Sequence, residues 1–313
     1  MFESTSSFIG GTHEMKTNSA AQGALTGLRG MRDINILRLF ILPTISLLVV
    51  INIFPLFWSA FLSFTRYSVY EGGSPVWIGI DNYIKILSEE YYWRQFTMTA
   101  LYVIIVVTAE LLIGFLLAFL LNQKFKAKSV YITMLAIPMM MSPALVGVLW
   151  KLIYNPNWGV LNWALGLGEL DWISDPKVNL YGIMIVDVWM WTPFMMLLSV
   201  AGLSAIPQYL YEAAEIDRAS GWFKFIHITL PICAPLLLIA VLFRSIEAFK
   251  TFDIAMGITG VGATSPQLLS LRLYEKAFYR WDTGLSSAIA YVLLFIVIGV
   301  SSIFIRYLTK LRQ

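Results

Sequence analysis

Four charged residues lie within long apolar segments, where a charge is costly unless it faces protein or water. They are Glu110, Asp187, Arg244 and Glu247. Arg244 and Glu247 are three residues apart, so on a helix they share a face and are expected to pair with each other. For Glu110 we expect a partner within a helix bundle. The alternative to such structural pairing is a functional role, in which the helix that carries Arg244 and Glu247 lines a polar cavity.

Side chains for covalent or metal chemistry are sparse. Cys233 is the single cysteine, and His13 and His227 are far apart with no His-x-x-x-His spacing, so neither a disulfide nor a metal cluster is expected. The sequence also lacks the Gly-Lys-Ser or Gly-Lys-Thr of a phosphate-binding loop. We therefore predict that this chain is not an enzyme, binds no metal or cofactor and does not hydrolyse ATP.

The composition places the chain in a membrane. Of its 313 residues, 58% are hydrophobic and only 13% are charged, against about 25% charged in a soluble domain. A net charge of +3 is too small and too scattered for a nucleic-acid partner. The composition thus excludes a soluble globular enzyme and a disordered chain. The chain is expected to be an integral membrane protein in contact with membrane lipid.

Six segments are long and apolar enough to cross the hydrocarbon core as helices, which takes roughly 20 residues. The sequence therefore predicts an all-α polytopic protein with six transmembrane helices. The predicted spans are Ile36–Phe64, Phe96–Leu121, Val130–Ile153, Val178–Leu203, Ile232–Phe249 and Gly284–Ile305. Residues 1–35 are rich in Ser, Thr, Gly and Ala and are expected to be a flexible cytoplasmic segment. The six spans are expected to form one domain, 36–313.

The positions of Lys and Arg in short loops predict that both termini are cytoplasmic. Basic residues precede the first span, follow the second and follow the sixth, whereas the opposite loops carry acids and aromatic residues. The basic residues are Arg29, Arg32, Arg38, Lys124, Lys126, Lys128, Arg306, Lys310 and Arg312.

The loop 204–231, between spans four and five, is longer than a simple connector and contains its own helix-forming segments. It is predicted to form a helix from Pro207 to Ser220-Gly221 and then a short amphipathic piece, Trp222–Ile228. An interfacial helix lying on the membrane is the alternative, but three acids near an anionic leaflet disfavour it. Small side chains on the first helix suit docking into a groove of another protein.

This loop resembles the EAA loop of ABC importer permeases of the carbohydrate-uptake, maltose-transporter type. The motif here is Glu-Ala-Ala-x-x-Asp-x-Ala from Glu212, followed by Phe-x-x-Ile-x-Leu-Pro ending at Pro231. Further matches run in order along the chain from about Ile36. They include Gly79–Tyr83, Ile137-Pro138, Trp150-Lys151, Asn155–Gly159, Asn162, Trp189, Thr192-Pro193, Phe243–Asp253 and Ser286–Ala288.

The resemblance implies a type I importer permease fold, an inner-membrane location in a bacterium, and several partners. These are a second permease subunit, two ATPase subunits that bind ATP and magnesium, and an extracytoplasmic solute-binding protein. The loop 204–231, here called the EAA loop, would dock on an ATPase subunit. The residues carried over to this role are Glu212, Ala213, Ala214, Asp217, Arg218 and Ala219.

Two departures from the family pattern stand out. Arg218 occupies the usual glycine position and is expected to be accommodated in a helix. The Thr-Gly-Gly-Gly-Pro common after span five is Thr259-Gly-Val-Gly-Ala263 here, which predicts a loop of different shape.

The resemblance also implies a carbohydrate site between spans four and five. Its residues would be Met190, Trp191, Phe194, Arg244, Glu247, Ala248 and Thr251, although Trp191 and Phe194 are also spaced as packing residues. The alternative solutes are a polyol, glycerol phosphate or an anionic sugar that Arg244 would bind. An ion channel or secondary transporter is disfavoured because neither inverted repeats nor charge relays are evident.

Overall fold

A computed structural model describes residues 38–123, 125–262 and 264–311. The chain divides into two compact units, Met1–Phe61 and Leu62–Gln313. The predicted flexible segment 1–35 lies outside the described residues, and the predicted single domain 36–313 stays a prediction. Among the described residues, five helices are long and apolar enough to cross a membrane.

Helix α1, Arg38–Ser63, is the first of these five. Its residues 38–58 are all exposed. Lipid can surround such a helix because its backbone polar groups are satisfied internally and its side chains are mostly apolar. A π-helical turn at Val49–Ile53 precedes Pro55, which has no N–H to donate to the carbonyl one turn earlier. The first predicted span is therefore confirmed as a helix.

A hairpin and a short helix follow α1. Strands β1, Thr65–Arg66, and β2, Val76–Trp77, pair antiparallel, with Thr65 opposite Trp77. Helix α2, Asp81–Ser88, is fixed to the hairpin by Asn82, whose amide donates to the Ser63 and Thr65 carbonyls at 2.9 Å each. The strands are a small addition to an otherwise helical protein.

Helices α3, Glu90–Leu121, and α7, Asn179–Ser204, are the two long central helices. They approach closely at Gly114, where an added β-carbon would lie 2.8 Å from the Met196 backbone nitrogen. The largest buried apolar cluster includes Val106 of α3 and Ile183 of α7. The second and fourth predicted spans are thus confirmed.

The third predicted span is not one continuous helix. It consists of α4, Lys128–Ala136, a 3₁₀ turn, Pro138–Met140, and α5, Pro143–Ile153. The two prolines cannot donate the backbone hydrogen bonds that a continuous helix needs at these positions. A short helix, α6, Val160–Leu165, follows.

Helix α8, Gln208–Ile216, belongs to the EAA loop and leads to α9, Gly221–Phe249. The amphipathic piece Trp222–Ile228, predicted to be separate, is instead the first part of α9. The helix continues through Pro231 because this proline lies in the first turn of the apolar portion of α9, where a missing N–H is tolerated. A π-helical turn, Phe225–Thr229, joins the two portions.

Three further helices complete the chain. They are α10, Asp253–Thr259, α11, Leu269–Tyr274, and α12, Thr283–Leu311. The loop before α11 is held by Arg272, which donates to the Gly262 and Ser265 carbonyls at 3.2 and 2.8 Å. Burial would raise the pKa of Glu275, but hydrogen bonds from Arg272 and Arg280 outweigh it and lower this pKa.

Helices α5 and α10 touch backbone to backbone, and replacing Gly257 by alanine should separate them. The added β-carbon would lie 2.8 Å from the Gly147 Cα. Overpacking of this kind costs about 1–3 kcal/mol, so we expect Tm of the permease in detergent to fall by roughly 5 °C. The control is Gly299→Ala, whose β-carbon meets no atom within 4 Å. Equal Tm values for the two variants would contradict this close contact.

Candidate functional site

The charged residues of the apolar segments meet in one buried cluster, here called the central cluster: Glu110, Asp187 and Arg244. Arg244 Nε of α9 lies 2.7 Å from Glu110 Oε2 of α3. Its Nη2 donates to Asp187 Oδ2 of α7. The exposed fractions of the three side chains are 2% or less. The cluster therefore joins the three long helices α3, α7 and α9.

The expected pair of Arg244 with Glu247 is wrong, whereas the expected partner for Glu110 within the bundle is confirmed. Glu247 is 56% exposed and pairs with Lys250 at 2.8 Å. Residues three apart are neighbours on a helix surface, but the Arg244 side chain is only 2% exposed and reaches α3 and α7, whereas the Glu247 side chain extends to the surface. The two carboxylates buried beside Arg244 are the closer and less solvated partners.

A small cleft beside the central cluster, here called the central cleft, has a volume of about 70 Å³. It is enclosed by the start of α5, by α7, by the end of α9 and by α10. Its lining residues are Pro143, Asp187, Trp191, Arg244, Glu247, Lys250, Thr251, Phe252, Asp253 and Ile254. Ligand pockets usually measure about 300–1,000 Å³, so the cleft by itself is smaller than a complete ligand pocket.

Four of the seven predicted substrate residues line this cleft: Trp191, Arg244, Glu247 and Thr251. The Arg244 Cζ lies 5.3 Å from the centre of the Trp191 ring, a cation–π distance. A flat aromatic face, a hydroxyl and charged groups are the groups that bind the apolar and polar faces of a sugar ring.

The other three predicted residues lie in the packed interior. Met190 and Ala248 are each 1% exposed in the main apolar cluster. Phe194 packs against that cluster and edge-on to Trp191, with ring centres 6.5 Å apart. Their role in binding a substrate stays a prediction.

Two charged lining residues escaped the sequence analysis. Lys250 and Asp253 lie just beyond the predicted end of span five, where charges are usually solvated. The three-residue spacing between Glu247 and Lys250 permits an ion pair, and this spacing could have indicated that Lys250 lies beside the predicted site residue Glu247.

The EAA loop forms a helix that is shorter than predicted. Helix α8 ends at Ile216 instead of continuing to Ser220, and Arg218 follows with φ = 51°. The Ala219 N–H donates to the Ala214 carbonyl at 2.8 Å, and the Arg218 N–H to the Glu215 carbonyl at 3.0 Å. This is the Schellman arrangement, in which glycine is usual at the left-handed position. The expectation of a helical Arg218 is therefore wrong.

The charged side chains of the loop divide into two groups. Glu215 is paired with Lys224 of α9 at 3.1 Å, and the Tyr211 and Thr229 hydroxyls are 2.7 Å apart, so α8 is fixed to α9. Glu212 and Asp217 are exposed, and neither forms an ion pair with any residue that the structure describes. Both are free to contact another protein.

A concavity of about 510 Å³ lies beside α8. The predicted docking residues Ala213, Ala214, Asp217 and Ala219 are among its walls, whereas Glu212 lies outside it. The lining residues are Leu210, Ala213, Ala214, Asp217, Ala219, Ser220, Phe223 and Ile228.

Replacing Arg218 by glycine should stabilise the end of α8. A residue other than glycine in the left-handed conformation costs about 1 kcal/mol. Removing this cost should lower the equilibrium constant for local opening of the turn by roughly fivefold. We expect the Ala219 amide, which is bonded across this turn, to exchange hydrogen about fivefold more slowly. The control is Arg218→Ala, which removes the same charge but keeps the β-carbon. If alanine slowed exchange as much as glycine, backbone strain at residue 218 would be refuted.

The long apolar helices are those of an integral membrane protein. Residues 24–312 match the family described as the binding-protein-dependent transport system inner membrane component. The chain belongs to this family.

Curated relatives cover nearly the whole chain. The trehalose/maltose transport system permease protein MalF of Thermococcus litoralis is 33% identical, over 90% of this chain and 96% of the relative. The sulfoquinovosyl glycerol transport system permease protein SmoG of Agrobacterium fabrum is 30% identical, over 86% and 88%. Both are permease subunits.

The fold is also similar to that of a chain in a bacterial ABC transporter that imports the acidic polysaccharide alginate. The TM-score is 0.73 at 21% identity, over 89% of this chain and 99% of that chain. This similarity and the family match confirm the predicted permease fold of type I ABC importers.

Proposed function

We propose that this chain is a permease subunit of an ATP-driven importer of a sugar or related carbohydrate. A second permease subunit would complete the pore, two ATPase subunits would bind ATP and magnesium, and a solute-binding protein would deliver the solute. The observation that carries the proposal is the match to sugar permeases over most of the chain, together with an EAA loop that exposes Glu212 and Asp217. A polyol permease is the alternative, whereas the cleft charges disfavour glycerol phosphate.

Coupling would follow a continuous mechanical route. Within the EAA loop, helix α8 is bonded to the start of α9 through the Glu215–Lys224 and Tyr211–Thr229 contacts. The 29 residues of α9 span about 40 Å at 1.5 Å per residue, and Arg244 near the far end is bonded to α3 and α7. A displacement of α8 by an ATPase subunit would therefore reach the central cleft through α9.

The central cleft would be one wall of the carbohydrate site. At about 70 Å³ it has room for two or three water molecules but not for a sugar ring. We infer that the second permease subunit supplies the opposite wall.

The proposed orientation places both termini and the EAA loop in the cytoplasm of a bacterium, with the chain in its inner membrane. A cysteine introduced at Ser220 should then react only with reagents that reach the cytoplasm, and one at Ser88 only with external reagents. Both serines are exposed, and the native Cys233 is buried, so background labelling should be low. Labelling of both positions from the same side would refute this orientation.

The transport function can be tested by ATP hydrolysis in the reconstituted complex of permeases and ATPase subunits. We expect hydrolysis to rise severalfold only when the solute-binding protein and a suitable carbohydrate are both present. Amino acids and peptides, given with the same binding protein, serve as controls. Stimulation by a solute of another class, with none by any carbohydrate in a broad panel, would overturn the proposal.

A further inference from the structure

Both cations that line the central cleft already have carboxylate partners. The guanidinium of Arg244 uses Nε for Glu110 and Nη2 for Asp187. The ammonium of Lys250 is 2.8 Å from Glu247 Oε1. Neither cation is available to an anionic solute without giving up a carboxylate, and for Arg244 that would leave a buried charge unpaired.

Carboxylates outnumber cations around this cleft. Asp187, Glu247 and Asp253 face Arg244 and Lys250, which leaves an excess of one negative charge among the lining residues. Asp253 is exposed and forms no ion pair within the described part of the chain, so its charge is not cancelled locally.

We propose that the central cleft excludes anionic solutes and that the carbohydrate it passes is uncharged. The inference rests on the proposed function and narrows its substrate class. A net charge between low-dielectric walls focuses the field and repels solutes of the same sign. Sulfonated sugars and uronates would be repelled, whereas a neutral sugar would lose nothing and could stack on Trp191.

This inference separates the chain from some of its own relatives. The names of the similar proteins include carriers of an uncharged disaccharide, trehalose/maltose, and of a sulfonated glycoside, sulfoquinovosyl glycerol. Identities of 33% and 30% do not choose between these chemistries. The charges in the cleft favour the uncharged class, and Arg244 is not the anion-binding residue that its type alone suggests.

The sign of the potential can be measured with a cysteine at Thr251 in a Cys233→Ala background. Charged methanethiosulfonate reagents of both signs are applied to the assembled complex in proteoliposomes, and each rate is divided by that of a free thiol. We expect the cationic reagent to react about tenfold faster than the anionic one. Adding Glu247→Gln and Asp253→Asn leaves Asp187 against two cations and should lower the ratio to one or below. Glu169→Gln, which changes an exposed acid outside the cleft, should not alter the ratio.

A ratio of one or less in the Thr251→Cys protein would overturn the inference. A ratio that the two neutralising changes leave intact, or a cysteine that reacts with neither reagent, would also overturn it.

A second arm uses the wild-type complex and is independent of whether the cysteine variant assembles. Trehalose, maltose, sulfoquinovosyl glycerol and alginate oligosaccharides are compared as stimulators of ATP hydrolysis. Stimulation by uncharged sugars alone supports the inference, and equal stimulation by an anionic sugar overturns it. If no carbohydrate stimulates hydrolysis, the proposed function fails, and the reagent ratio still decides the sign of the cleft.

Discussion

Replacing Arg244 by methionine should be the most destabilising single change in the helix bundle. It would leave Glu110 and Asp187 buried without a cation, and removing one partner of a buried ion pair costs about 3–5 kcal/mol. We expect the detergent-solubilised permease to lose roughly 10 °C in Tm and to be recovered in low yield. The measurement is thermal unfolding of the permease followed by size-exclusion chromatography.

The matched control for this prediction neutralises the whole cluster. A triple variant, Glu110→Gln, Asp187→Asn and Arg244→Met, removes the same cation but leaves no unpaired charge, and replacing a complete buried ion pair by neutral groups is often tolerated. We expect it to regain most of the lost stability. Equal losses in the single and triple variants would show that Arg244 matters only as a packing side chain.

Replacing Glu212 by alanine should leave the permease inserted and expressed but uncoupled from ATP hydrolysis. Glu212 is exposed with no ion-pair partner in the described structure, so its removal should change folding stability by less than about 0.5 kcal/mol. Removing one partner of a buried interfacial charge pair costs about 2–5 kcal/mol, which is at least about thirtyfold in affinity. The measurements are copurification of the ATPase subunits and solute uptake in the same membranes.

Two variants control the Glu212 experiment. Glu169→Ala removes an exposed acid from a different loop and should leave copurification and uptake unchanged. Glu215→Gln weakens the bond to Lys224 within the chain, so it should loosen α8 without removing a proposed contact to the ATPase. Wild-type copurification and uptake in Glu212→Ala would refute the coupling role of this residue.

The spans could be predicted because membrane insertion imposes a simple length requirement on apolar segments. Hydropathy counts apolar residues but is insensitive to backbone hydrogen bonds, and it therefore joined α4 and α5 into one helix across Pro138 and Pro143. For the same reason the prediction divided α9 into two helices, since the first turns of α9 are polar enough to resemble a loop.

The partners of Arg244 could not be predicted because they are distant in sequence. Glu247 is the only carboxylate within one helical turn of Arg244, so local spacing favours it. Glu110 and Asp187 become neighbours only when α3, α7 and α9 pack together, and no local pattern encodes that contact. Sequence reasoning found all four charged residues but paired Arg244 with Glu247 instead of with Glu110 and Asp187.

Arg218 shows how a backbone requirement can be hidden by residue type. The family glycine at this position suggests a left-handed turn, but arginine is a good helix former and favours a longer helix. The hydrogen bonds of Arg218 and Ala219 to the last turn of α8 fix the left-handed conformation nonetheless. The length of α8 was therefore overestimated by sequence reasoning, whereas its start near Pro207 was correct.

The most direct test of the proposed function is ATP-dependent accumulation of a labelled carbohydrate in proteoliposomes. The vesicles contain this chain, the second permease and the ATPase subunits, with the solute-binding protein outside and ATP inside. We predict accumulation of an uncharged sugar that stops when ATP is replaced by a non-hydrolysable analogue or when Glu212→Ala replaces the wild-type chain. Accumulation that continues unchanged without hydrolysable ATP, or in vesicles that lack this chain, would contradict the proposal.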